Sequence, residues 1–163
     1  MKIEIDGFDT VIKRLEGINE KKFETILDRV TDVGVDEASL VFSSAIYDGI
    51  NDVVVSKEMQ EDSADIIASG NSVAFIEFGS GVHYQEEYPN KPSGVAPIGT
   101  YGQGNGSRDW WVYKDNGGSG TPFEKKDGYI ITHGNPPAKA MISASKEMKK
   151  RVGKITREEL RKK

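Results

Sequence analysis

The 163-residue chain contains no cysteine and only two histidines. The missing cysteine excludes a disulfide framework, a thiol nucleophile and a cysteine-ligated zinc site. Long apolar runs are also missing. The opening "MKIEIDGFDT" lacks the apolar centre of a signal peptide, and no segment approaches membrane-spanning length. The expectation is a soluble protein made in a cytoplasm, with no membrane partner. Apolar residues are scarce as well, at 36% against 29% charged, so part of the chain is expected to lie outside a core. The length suits one domain spanning residues 1–163.

The net charge of −4 is unevenly spread. Residues 146–163 hold nine Lys/Arg and three Asp/Glu, a balance of +6, which leaves −10 on the rest. An acidic body with a basic helical tail can join copies of itself or a complementary partner. The plainer reading is a solvated helix end.

Along the chain, "KIEI" alternates as a short strand or extended arm, and Asp9 or Thr10 can cap a short helix to about Glu16. A long helix is expected over about 20–47, with Phe23, Ile26, Leu27, Val30, Val33, Ala38, Val41 and Ala45 forming its stripe. Gly34 interrupts that stripe and costs helix stability unless it allows a close contact or a bend. Three strands are expected next, over 52–56, 64–69 and 72–78, with Gly70-Asn71 as a hairpin turn between the last two. "GYIIT" at 128–132 reads as a returning strand. Asn135 and Pro136 read as the cap and first position of a C-terminal helix, buried through Ala140, Met141, Ala144, Met148, Val152 and Ile155. The expected class is α+β. A small antiparallel sheet packs against the long helix of the N-terminal half and the C-terminal helix.

Residues 79–128 differ in texture. They hold eleven of the eighteen glycines, four of the six prolines, both tryptophans and seven of the fourteen aromatic residues. Such a stretch is too long for an ordinary connection and too aromatic for a disordered linker. It reads as an insertion loop that orders against a partner. Within it, "RDWWVY" supplies Arg108, Trp110, Trp111 and Tyr113, residue types that dominate protein–protein interfaces and also stack on sugars or bases.

Catalytic and cofactor patterns are weak. "GQGNGS" at 102–107 lacks the strand, helix and lysine of a phosphate cradle. His83 and His133 could approach Glu77, Glu86 or Glu87, but no helical metal-binding spacing supports this. No Gly-x-Ser-x-Gly elbow exposes a serine nucleophile. The expectation is a non-enzymatic protein with no cofactor and no metal. Glu77, in "VAFIEFGSG", reads as a structural carboxylate at the base of the loop together with Phe78, Gly79 and Ser80.

The opening "MKIEIDGFDTVIKRLEGI", the central "AFIEFGSG" and the late "HGNPPAKAMISASKEM" together resemble the tail-completion (minor tail protein Z-like) family of long-tailed bacteriophages. Members typically carry a strand ending in Glu-Phe-Gly-Thr, where Ser80 here keeps the hydroxyl, and a Pro-containing turn before a helix. The resemblance does not cover the Gly-rich insertion. It implies a structural virion protein at the head–tail interface, made in the bacterial host cytoplasm. Copies would form a hexameric or dodecameric ring. One side would adjoin a head-closure or connector protein and the other the tail terminator or tail tube, with genomic DNA passing through the lumen. Two other readings stand beside it. One is a cell-wall carbohydrate-binding or hydrolytic module using Trp110, Trp111 and Glu77. The other is a DNA-binding accessory protein using residues 146–163.

Overall fold

A computed structural model describes residues 20–45, 51–80, 110–115 and 122–162. The expected N-terminal strand and short helix, the last residues of the long helix, His83, Glu86, Glu87, "GQGNGS" and Arg108 lie outside the described residues. The order of elements is α1 (Glu20–Ser44), β1 (Val54–Met59), β2 (Ala64–Ser69), α2 (Val73–Phe78), β3 (Trp111–Lys114), β4 (Pro122–Lys126), β5 (Tyr129–Thr132) and α3 (Ala140–Arg161). The fold is α+β, with a two-stranded antiparallel sheet packed against the two long helices. The chain divides into two compact units.

The first unit combines α1 as far as Ser39, residues 55–68 and α3 from Met141 onward. Its core follows helical spacing. Ile26, Leu27, Val30 and Ala38 are buried on α1, and Met141, Ala144, Met148 and Ile155 on α3. β1 and β2 form a hairpin closed by the Gln60 N–H donating to the Ser63 carbonyl at 2.8 Å. Ile66 and Ala68 of β2 are buried. Gly34 marks a close approach. A Cβ added there would lie 2.4 Å from both Ile66 Cδ1 and Met148 Sδ. The helix therefore carries a poor helix former where β2 and α3 both press against it. Lys57 of β1 fastens the hairpin to α1 by bonding Asp28 and Asp32, one turn apart. Those two hydrogen bonds raise the lysine's pKa, against a smaller opposing effect of burial.

The second unit comprises residues 40–54 and 69–140. β5 is the middle strand of a three-stranded antiparallel sheet in the order β3-β5-β4, pairing Trp111 with Thr132 and Lys126 with Tyr129. Ile130 and Thr132 are buried while Tyr129 is exposed, the alternation of a sheet with one wet face. Asp127 and Gly128 both take positive φ, 53° and 77°, between β4 and β5, the geometry that makes Asp-Gly a two-residue hairpin turn. Gly128 thus belongs to this turn, not to the strand expected over 128–132. The expected loop 79–128 contains β3 and β4.

Two further expectations are corrected. Residues 73–78 form a helix, not a strand, and Gly70-Asn71 is not a hairpin turn. The buried positions Val73, Ile76 and Glu77 follow i, i+3, i+4 spacing, with Phe75 exposed. The Ile76 N–H closes the first turn on the Ser72 carbonyl at 3.0 Å. The strand expected over 52–56 runs instead from Val54 to Met59, because Asp52 has a separate task. Its carboxylate accepts hydrogen bonds from the Asn71 N–H at 2.7 Å and the Ser72 N–H at 2.9 Å. It thereby takes up orphan donors at the start of α2. Those backbone bonds lower its pKa from 3.8 to about 2.

Candidate structural site at the α2 terminus

The residues singled out at the loop base converge on the C-terminal end of α2. That helix leaves carbonyls without intrahelical partners. The irregular segment 135–139 supplies them. The Ala138 N–H donates to the Ile76 carbonyl at 2.8 Å, and the Lys139 N–H to the Glu77 carbonyl at 3.3 Å. One step further, Ser80 and Asn135 bond reciprocally. The Ser80 N–H donates to the Asn135 carbonyl at 2.9 Å and the Asn135 N–H to the Ser80 carbonyl at 3.1 Å. The Ser80 Oγ also accepts from the Asn135 N–H at 3.1 Å.

Gly79 makes this approach possible. It sits at φ 74°, ψ 170°, a region that side chains other than glycine's rarely adopt. A Cβ there would stand 2.7 Å from the Pro137 nitrogen and 2.8 Å from the Asn135 oxygen. Both are backbone atoms, so neither can swing aside.

Five side chains at the junction are buried, while Pro136 is exposed and residues 137–139 are half-buried. Glu77 has no exposed surface, and Phe78, Ser80, Asn135 and Thr132 are buried. Gly134 is held by its N–H donating to Thr132 Oγ1 at 3.0 Å. Glu77 is therefore a fully enclosed carboxylate on a short helix, with no surface offered to solvent.

Asn135 and Pro136 do not cap the C-terminal helix, which begins at Ala140. Two physical causes act together. Pro136 and Pro137 each disfavour the helical region for the residue before them, and the next two N–H groups, on Ala138 and Lys139, are committed to α2. Lys139 then passes through φ 55° immediately before the helix starts.

The aromatic cluster is described only in part. Trp110 precedes β3 and is 37% exposed. Trp111 and Tyr113 lie on β3, in register with Thr132 and Ile130 of β5. No group of three or more His, Asp and Glu able to hold a metal occurs among the described residues, and no described helix is long and apolar enough to cross a membrane.

The basic C-terminal segment contains a buried carboxylate that sequence reasoning did not single out. Glu159 is 4% exposed and is bonded by Lys162 and by Arg29 of α1, which also reaches Glu158 at 3.0 Å. The Lys162 bond, then the Arg29 bond, holds its pKa below the usual carboxylate range, against desolvation. Asp52, Lys57 and Glu159 have no motif. Only Glu159's position on the apolar stripe of α3, four residues after Ile155, is a visible signal.

Comparison with protein-family models, with curated protein sequences and with solved structures gives no match.

Proposed function

We propose that the chain is a structural protein of the phage neck, a tail-completion-like component that joins head connector and tail as a ring of identical copies. One observation carries this reading. Two of the three segments that carry the resemblance, the one around Ile76–Ser80 and the one around Asn135–Lys139, are joined backbone to backbone through residues 76–80 and 135–139. Two short segments far apart in the chain thus act as one structural element, as a shared assembly scaffold requires. The enclosure of Glu77 supports a load-carrying role over a catalytic one. In this reading the protein resides in the virion at the head–tail interface. Its neighbours are copies of itself, a head-closure or connector protein, and the tail terminator or tube. Genomic DNA passes through the lumen.

The test is removal of the gene from the particle that encodes it, followed by electron microscopy. The expected result is filled heads and finished tails that fail to join. Complete, infectious particles lacking the protein, together with a strictly monomeric purified chain, would overturn the reading.

A further inference from the structure

We infer that copies of this chain associate head to tail, through the outer face of α3 on one copy and the tip of the β1–β2 hairpin on the next. This rests on the ring reading and names the contact within it. Both surfaces belong to the first unit, and their charges are opposite.

On α3, Lys146, Lys149, Lys150, Lys154, Arg157 and Arg161 are exposed. Their helical spacing sets them on the side away from the buried Met148, Ile155 and Glu159. From residue 146 on, every exposed residue of α3 is Lys or Arg except Gly153 and Leu160. The acids of this helix lie elsewhere. Glu147 takes Lys150 and Arg151, Glu158 reaches Arg29 and lies 3.9 Å from Lys154, and Glu159 is buried. No described carboxylate pairs with Lys146, Lys149, Arg157 or Arg161. The hairpin tip is the complement. Residues 58–63 read Glu-Met-Gln-Glu-Asp-Ser, all exposed, with no cation. Lys57 ties the hairpin to α1, so the acidic tip is presented on a fixed base.

Two observations favour a second copy over a nucleic acid for the basic face. Each charged patch carries one large exposed apolar side chain, Leu160 at 44% in the basic face and Met59 at 41% in the acidic tip. Apolar groups gain nothing on a phosphate backbone, whereas an apolar centre with a charged rim suits a protein contact. The chain's net charge of −4 also opposes general binding to a polyanion. Two different patches that fit each other make a heterologous contact, the kind that closes into a ring when the rotation allows.

The test uses the full chain and two charge-reversed variants. The first carries Lys146→Glu, Lys149→Glu and Arg157→Glu. The second carries Glu58→Lys, Glu61→Lys and Asp62→Lys. Native mass is measured by sedimentation at roughly 50 mM and roughly 500 mM salt, since screening weakens such contacts. The expected results are a wild-type oligomer that loosens in high salt, at least about tenfold weaker association for each variant alone, and recovered assembly in their equimolar mixture. Recovery in the mixture also demonstrates that both variants are folded. A neutral pair, Lys149→Gln with Arg157→Gln, is expected to weaken association by a smaller factor. Four results would overturn the inference. These are a monomeric wild type in low salt, variants that assemble as the wild type does, no recovery in the mixture of two folded variants, or loss of duplex DNA binding with self-association unchanged. If the variants still form rings while particles without the gene have unjoined heads and tails, this contact falls and the neck reading stands.

Discussion

The two units of the chain are held together by different means. In the first, side chains interdigitate. Ile26, Leu27 and Val30 of α1, Ile66 of β2, and Met148 and Ile155 of α3 are its buried apolar groups. In the second, Phe42, Val73, Ile76, Phe78 and Ile130 are buried as well, and backbone groups in addition answer one another across long sequence separations. Asp52 meets the amides of residues 71 and 72, and residues 76–80 meet residues 135–139. A side-chain core can yield by shifting a methyl group, and conservative replacements there cost little. A backbone junction has no such slack. The second unit should therefore be the more brittle at that junction.

The sharpest way to break that comparison is Gly79→Ala. The new methyl would meet the Pro137 nitrogen at 2.7 Å and the Asn135 oxygen at 2.8 Å, in a backbone conformation that alanine resists. Backbone strain and overpacking together are expected to cost about 3 kcal/mol in urea unfolding. Amide exchange at Ala138 and Lys139 should accelerate first, because those N–H groups lose their carbonyl partners. A cost near that of an ordinary core substitution would mean that the two units are equally tolerant.

Asp52→Asn comes next. The carboxylate serves two amides, and the amide side chain keeps one acceptor oxygen without the charge. The melting temperature at pH 7 is expected to fall by several degrees. The pH dependence identifies the cause. The folded pKa of Asp52 is depressed from 3.8 to about 2, so its stabilisation is complete above the unfolded value. It is lost as the pH falls from about 4 through about 2. The gap between wild type and variant should close across that window. A gap constant down to pH 2 would assign the effect to shape rather than charge.

The same division explains what could be read from sequence. α1, β2, most of β5 and the body of α3 were legible, because helical or alternating spacing records which side chains are buried. The α+β class follows from those elements. Residues 73–78 were not. Their run of five apolar residues and one acid is ambiguous between strand and helix, and Asp52, from twenty residues upstream, supplies part of what caps the helical form. The start of α3 was misplaced for a similar reason, since the amides of Ala138 and Lys139 serve α2 instead of opening a new helix. Each half of the junction stood out locally, Glu77–Ser80 by its lone acid and glycine, and residues 135–137 by the paired prolines. Nothing in the spacing said that they touch. The Asp127-Gly128 turn carries a readable signal of its own, an Asp-Gly pair between two strands.

In the first unit, Gly34→Ala opposes two terms. Alanine improves helix propensity by about 1 kcal/mol, while overpacking of a closed core costs about 1–3 kcal/mol. Ile66 Cδ1 and Met148 Sδ, both 2.4 Å from the new methyl, are ends of side chains and can give way. The net is expected to be a loss of about 1 kcal/mol, smaller than at Gly79. Ile66→Val in the same chain should recover part of it by removing the colliding methyl. A loss that Ile66→Val deepens would mean that the site was not full.

The smallest effect is expected at Lys57→Met. The ammonium joins Asp28 and Asp32, but both acids are about half exposed and the lysine itself is 28% exposed. Water screens such a pair, and the ordered side chain loses rotamer freedom on pairing. Methionine keeps most of the aliphatic length that lies along the strand. Unfolding free energy should therefore drop by only about 0.5 kcal/mol in low salt and by less in high salt. What should change more is register. Lys57 ties the hairpin to α1 through Asp28 and Asp32, and freeing it lets the tip of residues 58–63 move without unfolding the core. Amide exchange at residues 58–64 rising while the protection of α1 holds would fit a tie that positions the acidic tip. Equal loosening of both would make the lysine part of the core's stability, and the first unit would then depend on a polar fastening much as the second does.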